Sequence, residues 1–163
     1  MLHPPKMVGM AVAAAHRGVS AAKRILVPTK GSYYCNRAVE LACRLGMEQD
    51  AEIVVAHVIE VPLALPLGTP LPNMEKTGND ALAQATDIVS LHNLKPVAML
   101  ERDRTVERGV LRVAMDTGAD LVVIGINPKR VAAGGSISRV VESILRRAGI
   151  EVIMDVIPEG EEL

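Results

Sequence analysis

Short, uninterrupted apolar runs alternate along the chain with stretches whose apolar positions recur every three or four residues. Ile25-Leu26-Val27 is such a run, stopped by Pro28, and behind it Ala38, Leu41, Ala42 and Leu45 share one helical face that Gly46 closes. Ile53 to Val61 is a second, β-branched run, and Leu82, Ala85, Ile88 and Val89 mark a second helix ending before Pro96. Val97 to Leu100 predicts a third strand. Thr105 caps a helix carrying Val106, Val110, Val113 and Ala114, Gly118 ends it, and Leu121 to Ile124 follow as a fourth strand. Ser136 or Ser138 opens a last helix with Val140, Val141, Ile144 and Leu145 inward and a Glu142–Arg146 pair outward. Gly149 caps it, and Ile150 to Ile157 is the final strand.

Five strands alternating with four helices predict an α/β, doubly wound, Rossmann-like fold. Apolar runs without alternation belong to strands covered on both faces, hence to a parallel five-stranded sheet with helical crossovers. In such sheets ligands sit beyond the carboxyl ends of the strands, where the direction of connection switches. The loops to watch are therefore Pro28–Ser32, the segment after Val58, and Gly125–Ser138.

Composition narrows the function. A chain of 163 residues with 49% apolar and 23% charged positions has the makings of one core and is not a disordered chain. Its only aromatic residues are Tyr33 and Tyr34, so stacking platforms for single strands are missing, and a net charge of −1 gives no basic field. No nucleic-acid partner and no membrane insertion is expected. Cys35 and Cys43 are too few for a disulfide framework and suit a reducing, cytoplasmic setting as small core side chains. His3, His16, His57 and His92 lack ligand spacing, so no metal site is expected, and His57 near a strand end reads as packed or hydrogen-bonded. Ser136 has no base beside it in the motif, so no catalytic residue is assigned and the chain does not read as an enzyme.

Three segments stand apart. Residues 1–23 carry Pro4, Pro5 and a nine-residue Ala-rich stretch too short to span a bilayer, and read as an extension: a tail, a leading helix or a tether, with a cleaved signal as the minor alternative. The body is then residues 24–158, and 159–163 form an acidic tail. Pro62 to Pro72 reads PLALPLGTPLP, which no regular helix or central strand accommodates; it is a surface connector or a lid or partner-facing loop.

The fourth strand empties into Gly125, followed by Lys129, Arg130, Gly134, Gly135, Ser136 and Ile137, with a helix opening at the end. Glycines let backbone amides approach a ligand, and a helix start offers free N–H groups, so this is an anion cradle to which Lys30, Lys129 and Arg130 add charge. The plainer reading is a flexible turn, a helix cap and a solvated loop.

These residues resemble the universal stress protein family: Ile25 to Ser32, Ala56-His57-Val58, Ala119 to Gly125, and Gly135 to Ser138 occur in the family's order from about Arg24 to Ile157. The resemblance implies strand order 3-2-1-4-5, a homodimer through the last strand, and, in one subgroup, bound ATP or AMP. The anion-cradle reading and the resemblance together give the candidate site Pro28, Thr29, Lys30, Val58, Gly125, Lys129, Arg130, Gly134, Gly135, Ser136 and Ile137. Backbone at Thr29 and Val58 would meet the base and the Gly135–Ile137 turn the phosphates. Two departures are plain: Pro128 stands where that subgroup has its second glycine, in a loop three residues shorter, and Lys30 replaces an acidic residue. Lysine accepts no hydrogen bond from a ribose and holds no metal ion, but it can pair with a phosphate. Two functions follow: a sensing or signalling module with an adenine-nucleotide or other small-anion site, or a ligand-free dimeric interaction domain, including one that regulates a larger membrane or signalling protein through the Pro62–Pro72 loop or the amino-terminal tether.

Overall fold

The computed structural model describes residues 21–132 and 136–156. The proposed extension before Ala21, the Ala133–Gly135 turn and the acidic tail lie outside them. Five strands, β1 (Arg24–Pro28), β2 (Glu52–Glu60), β3 (Lys95–Asp103), β4 (Leu121–Ile126) and β5 (Glu151–Val156), form one parallel sheet of order β3-β2-β1-β4-β5. This is the expected doubly wound architecture and strand order. Helices α1 (Tyr33–Gly46), α2 (Pro72–Leu91), α3 (Val106–Thr117), α4 (Pro128–Ala132) and α5 (Ser136–Arg147) connect the strands.

Strand alternation divides the core in two. Ile25, Val27, Ile53, Val55, Leu121 and Val123 face α1 and α2, whereas Leu26, Val54, Ala56, Val122, Ile124 and Ile126 face α3 and α5. Ile25, Leu26 and Ile53 are wholly buried, each stabilising the fold by about 1.5–3 kcal/mol relative to exposure. Both layers lack aromatic rings, so close helix approach depends on small residues. A Cβ on Gly109 of α3 would lie 2.6 Å from Val58 Cγ1, and one on Gly78 of α2 would lie 2.7 Å from the His57 ring.

Four local expectations need revision, the first being Leu145 of α5, which was expected to face inward with Val140 and Ile144 but is 58% exposed. Gly46 is the last residue of α1, not a left-handed cap: the chain runs on through a 3-10 turn at Met47–Gln49, and Asp50 takes the positive φ of 49°. A side chain on Gly46 would meet Ala51 Cβ at 2.7 Å, which is why glycine stands there. The third strand spans nine residues rather than Val97 to Leu100, because β3 is an edge strand whose polar ends still pair with β2. The stretch after β4 is not loop throughout, since Pro128–Ala132 are helical. Thr105 and Gly118 cap α3 as the sequence predicts, with the Thr105 hydroxyl accepting the Arg108 N–H and Gly118 at φ 65°.

The Pro62–Pro72 segment is a fastened surface connector. Arg104 Nη1 donates to the carbonyls of Pro62 and Leu65, both at 2.7 Å, and Arg102 donates to Thr69 O at 2.7 Å and pairs with Glu75. Pro72 sits in the first turn of α2, where its missing N–H costs nothing. Leu63 remains 87% exposed.

Candidate functional site

Unequal strand lengths open a gap in the sheet edge. β1 stops at Pro28 while β2 continues to Glu60, so beyond Ala56 one side of β2 has no neighbouring strand. In a parallel ladder the N–H and C=O of one residue point to the same side, and alternate residues share that side. Ala56 O accepts the Thr29 N–H at 2.8 Å, whereas Val61 N–H donates to Asp103 of β3. The Val58 peptide, two residues past Ala56, is therefore directed to the side that β1 has vacated.

A cavity of about 900 Å³ surrounds this gap. Pro28, Thr29, Ala56, Val58, Ile124 and Gly125 come from the strand ends, Ser32 to Cys35 from the start of α1, and Val106, Val110 and Val140 from α3 and α5. Lys30, Glu60, Asn127 and Arg130 add charged and amide groups to the hydroxyls of Thr29, Ser32, Tyr33 and Tyr34 and the His57 ring. The cavity lies between β1 and β4, where the connections switch from one half of the sheet to the other.

Local chemistry sets each wall. Thr29 is buried, its hydroxyl accepts the Gly31 N–H at 3.1 Å, and Gly31 takes φ 83°, which turns the chain out of β1. His57 Nδ1 lies 2.9 Å from Thr29 O; a carbonyl only accepts, so Nδ1 carries the proton. With its ring under Gly78, His57 braces the Thr29 turn, the packed and hydrogen-bonded role expected for it. Ser32 caps α1 by accepting the Cys35 N–H. Asn127 Oδ1 accepts the Lys129 N–H at 3.0 Å, and Pro128 occupies the first helical position, so the Asn-Pro pair starts α4. That turn brings Arg130 to the cavity, while Lys129 is exposed and does not line it.

Of the residues singled out from sequence, the structure gathers Pro28, Thr29, Lys30, Val58, Gly125 and Arg130 around one cavity. Gly134 and Gly135 lie outside the described residues, and Ser136 and Ile137 open α5. Tyr33, Tyr34, Cys35, Glu60, Asn127 and the valines of α3 and α5 were not anticipated. The Asn127-Pro128 helix start was the one available signal among them; the valines carry the same periodicity as core positions.

The electrostatics at Lys30 are one-sided. Burial holds its ammonium below the usual lysine range, the Arg130 guanidinium lowers it further, and Cys35 acts in the opposite direction. Among the described residues, Lys30 and Arg130 have no carboxylate in ion-pair contact. No helix among them is long and apolar enough to cross a membrane, and no three His, Cys, Asp or Glu side chains group as a metal site requires.

A five-stranded parallel sheet with an open cleft at its switch point defines a doubly wound, Rossmann-like α/β protein. Residues 21–155 match the family model described as the Universal stress protein family, and the chain belongs to that family. No curated protein matches it. Solved structures of similar fold include a protein of this family from Burkholderia pseudomallei (22% identical, covering 82% of this chain and 95% of that one, TM-score 0.62). Another is the universal stress protein from Archaeoglobus fulgidus in complex with dAMP (19% identical, 80% and 95% covered, TM-score 0.64). A third is a family member from Arabidopsis thaliana with AMP bound (14% identical, 86% and 96% covered, TM-score 0.61). At these identities the likeness is one of fold.

Proposed function

We propose that this chain is a sensing or signalling module whose switch-point cavity takes an adenine nucleotide such as AMP or ATP. The observation that carries the reading is the coincidence of the vacated edge at Val58 with an apolar-walled cavity bordered by Lys30 and Arg130. Peptide groups at Thr29 and Val58 would hydrogen-bond the base, apolar contacts from Val106, Val110 and Ile124 would hold its faces, and the Gly135–Ile137 turn would meet the phosphates. The dAMP and AMP complexes of proteins with this fold support the choice of ligand class. No side chain is assigned to activate water, so the reading is binding rather than hydrolysis.

Thermal unfolding with AMP, ATP and inorganic phosphate tests it. A native-state site adds about 2.7 kcal/mol of stability at a hundred times the dissociation constant. No shift with either nucleotide at millimolar concentration would overturn the reading.

A second reading, a ligand-independent dimeric regulatory domain, is favoured by one observation. β5 is an edge strand on which Met154 and Val156 are each 53% exposed, an apolar edge suited to pairing with a second copy.

A further inference from the structure

We propose that Lys30 and Arg130 form an anion clamp that holds the ligand's phosphate directly and makes binding independent of a divalent metal ion. The proposal rests on the adenine-nucleotide reading and adds to it how charge is neutralised at this site. Lys30 follows β1 and Arg130 lies in α4, so the two cations reach one cavity from strand ends that are neighbours in the sheet. Each placement has a local cause: the Thr29–Gly31 turn presents Lys30, and the Asn127-Pro128 helix start presents Arg130.

Two like charges beside one cavity repel each other unless an anion lies between them. Lys30 is held below the usual lysine range by burial and then by Arg130, so an anion seated there relieves an existing cost rather than competing with an existing partner. A guanidinium presents a planar fork to phosphate oxygens and an ammonium a mobile point charge, so together they suit a phosphomonoester.

The same two groups disfavour a metal ion. A magnesium ion is held through carboxylate and phosphate oxygens, and Lys30 and Arg130 offer only donors and positive charge. Glu60 is the one carboxylate among the described lining residues, and a single carboxylate beside two cations is a poor seat for a divalent ion. The residues present therefore do not fit a metal-bridged nucleotide, and the fixed cations do the neutralising instead.

Calorimetric titration of the full chain with AMP and with adenosine, in EDTA and in millimolar magnesium, tests this. Neither Lys30 nor Arg130 belongs to the packed core, so Lys30→Met and Arg130→Met should fold normally. The expected result is one AMP affinity in both buffers, a loss of roughly tenfold or more in each variant, unchanged adenosine binding, and no effect of Lys129→Met. Lys30→Glu should bind AMP weakly in EDTA and regain affinity with magnesium. If wild-type AMP binding needs magnesium, or if both methionine variants bind AMP like wild type, the clamp is wrong while the nucleotide reading stands. If neither AMP nor adenosine binds, the nucleotide reading fails and the clamp is decided by the melting shift with pyrophosphate. A shift that disappears in Lys30→Met and Arg130→Met keeps it, and the absence of a shift in the wild type overturns it.

Discussion

Gly125 of β4 passes directly beneath the carbonyl of Tyr34 in α1: a Cβ at Gly125 would overlap the Tyr34 oxygen and come within 3.0 Å of the Cys35 nitrogen. The glycine thus has a packing reason to be there, whatever the cavity holds. Backbone, unlike a flexible side-chain tip, cannot swing aside, so Gly125→Ala must push the first turn of α1 outward. Chemical denaturation should show a loss of about 1–3 kcal/mol, the usual range for overpacking. Wild-type stability would mean that α1 shifts at no cost.

Cys43 gives the fold a pH signature. Its side chain is fully buried, and burial, with Glu40 adding to it, pushes the thiol from 9.0 up to about 11. Between those values the unfolded thiol has lost its proton and the folded one has kept it, so the unfolded state binds fewer protons and stability falls as pH rises. Below the lower value the effect vanishes. The slope reaches about 1.4 kcal/mol per pH unit for one group. Comparing denaturation of wild type and Cys43→Ala from pH 8 to 11, the difference in stability should shrink by that order as pH rises; parallel curves would refute the assignment.

Arg104 fastens the Pro62–Pro72 segment through carbonyl contacts, so its loss should be felt locally. Arg104→Ala is expected to speed hydrogen exchange at Leu65 and neighbouring amides and to admit protease within the segment, while the melting temperature moves by only a few degrees. Equal exchange in both proteins would show that the turns at Pro62–Leu65 and Pro66–Thr69 hold by themselves.

The β5 edge makes a different prediction. Met154 is exposed, so Met154→Lys leaves the monomer's core intact but puts a charge on an edge that would pair with a second copy. Light scattering should report a dimer for the wild type and a monomer for the variant. An unchanged mass would place the contact between copies elsewhere.

The parts of the fold legible in the sequence are those where burial leaves no ambiguity. Ile25 to Val27 and Leu121 to Ile124 are covered on both faces, and their unbroken apolar letters say so. β3 was foreshortened because Lys95, Glu101 and Arg102 are polar, yet an edge strand tolerates polar residues wherever the ladder holds. α4 lies within a glycine-rich stretch that reads as loop, although Asn127-Pro128 is a helix start by capping chemistry alone. The cavity wall was the least legible: Val106, Val110 and Val140 have core periodicity, and only the packing of α3 and α5 shows that their ends border open space. Gly125, a site residue by family resemblance, has the α1 backbone as its nearest constraint.

Because β1 is five residues long and β2 nine, the sheet carries an unfinished hydrogen-bonding row beside Val58. A flat molecule that both donates and accepts can stand in for the strand residue that is absent there, extending the row by one rung. That row belongs to the mismatch in strand length and not to the turns around it, so substitutions within Asn127 to Ala132 would change the charge beside it and leave the row itself in place.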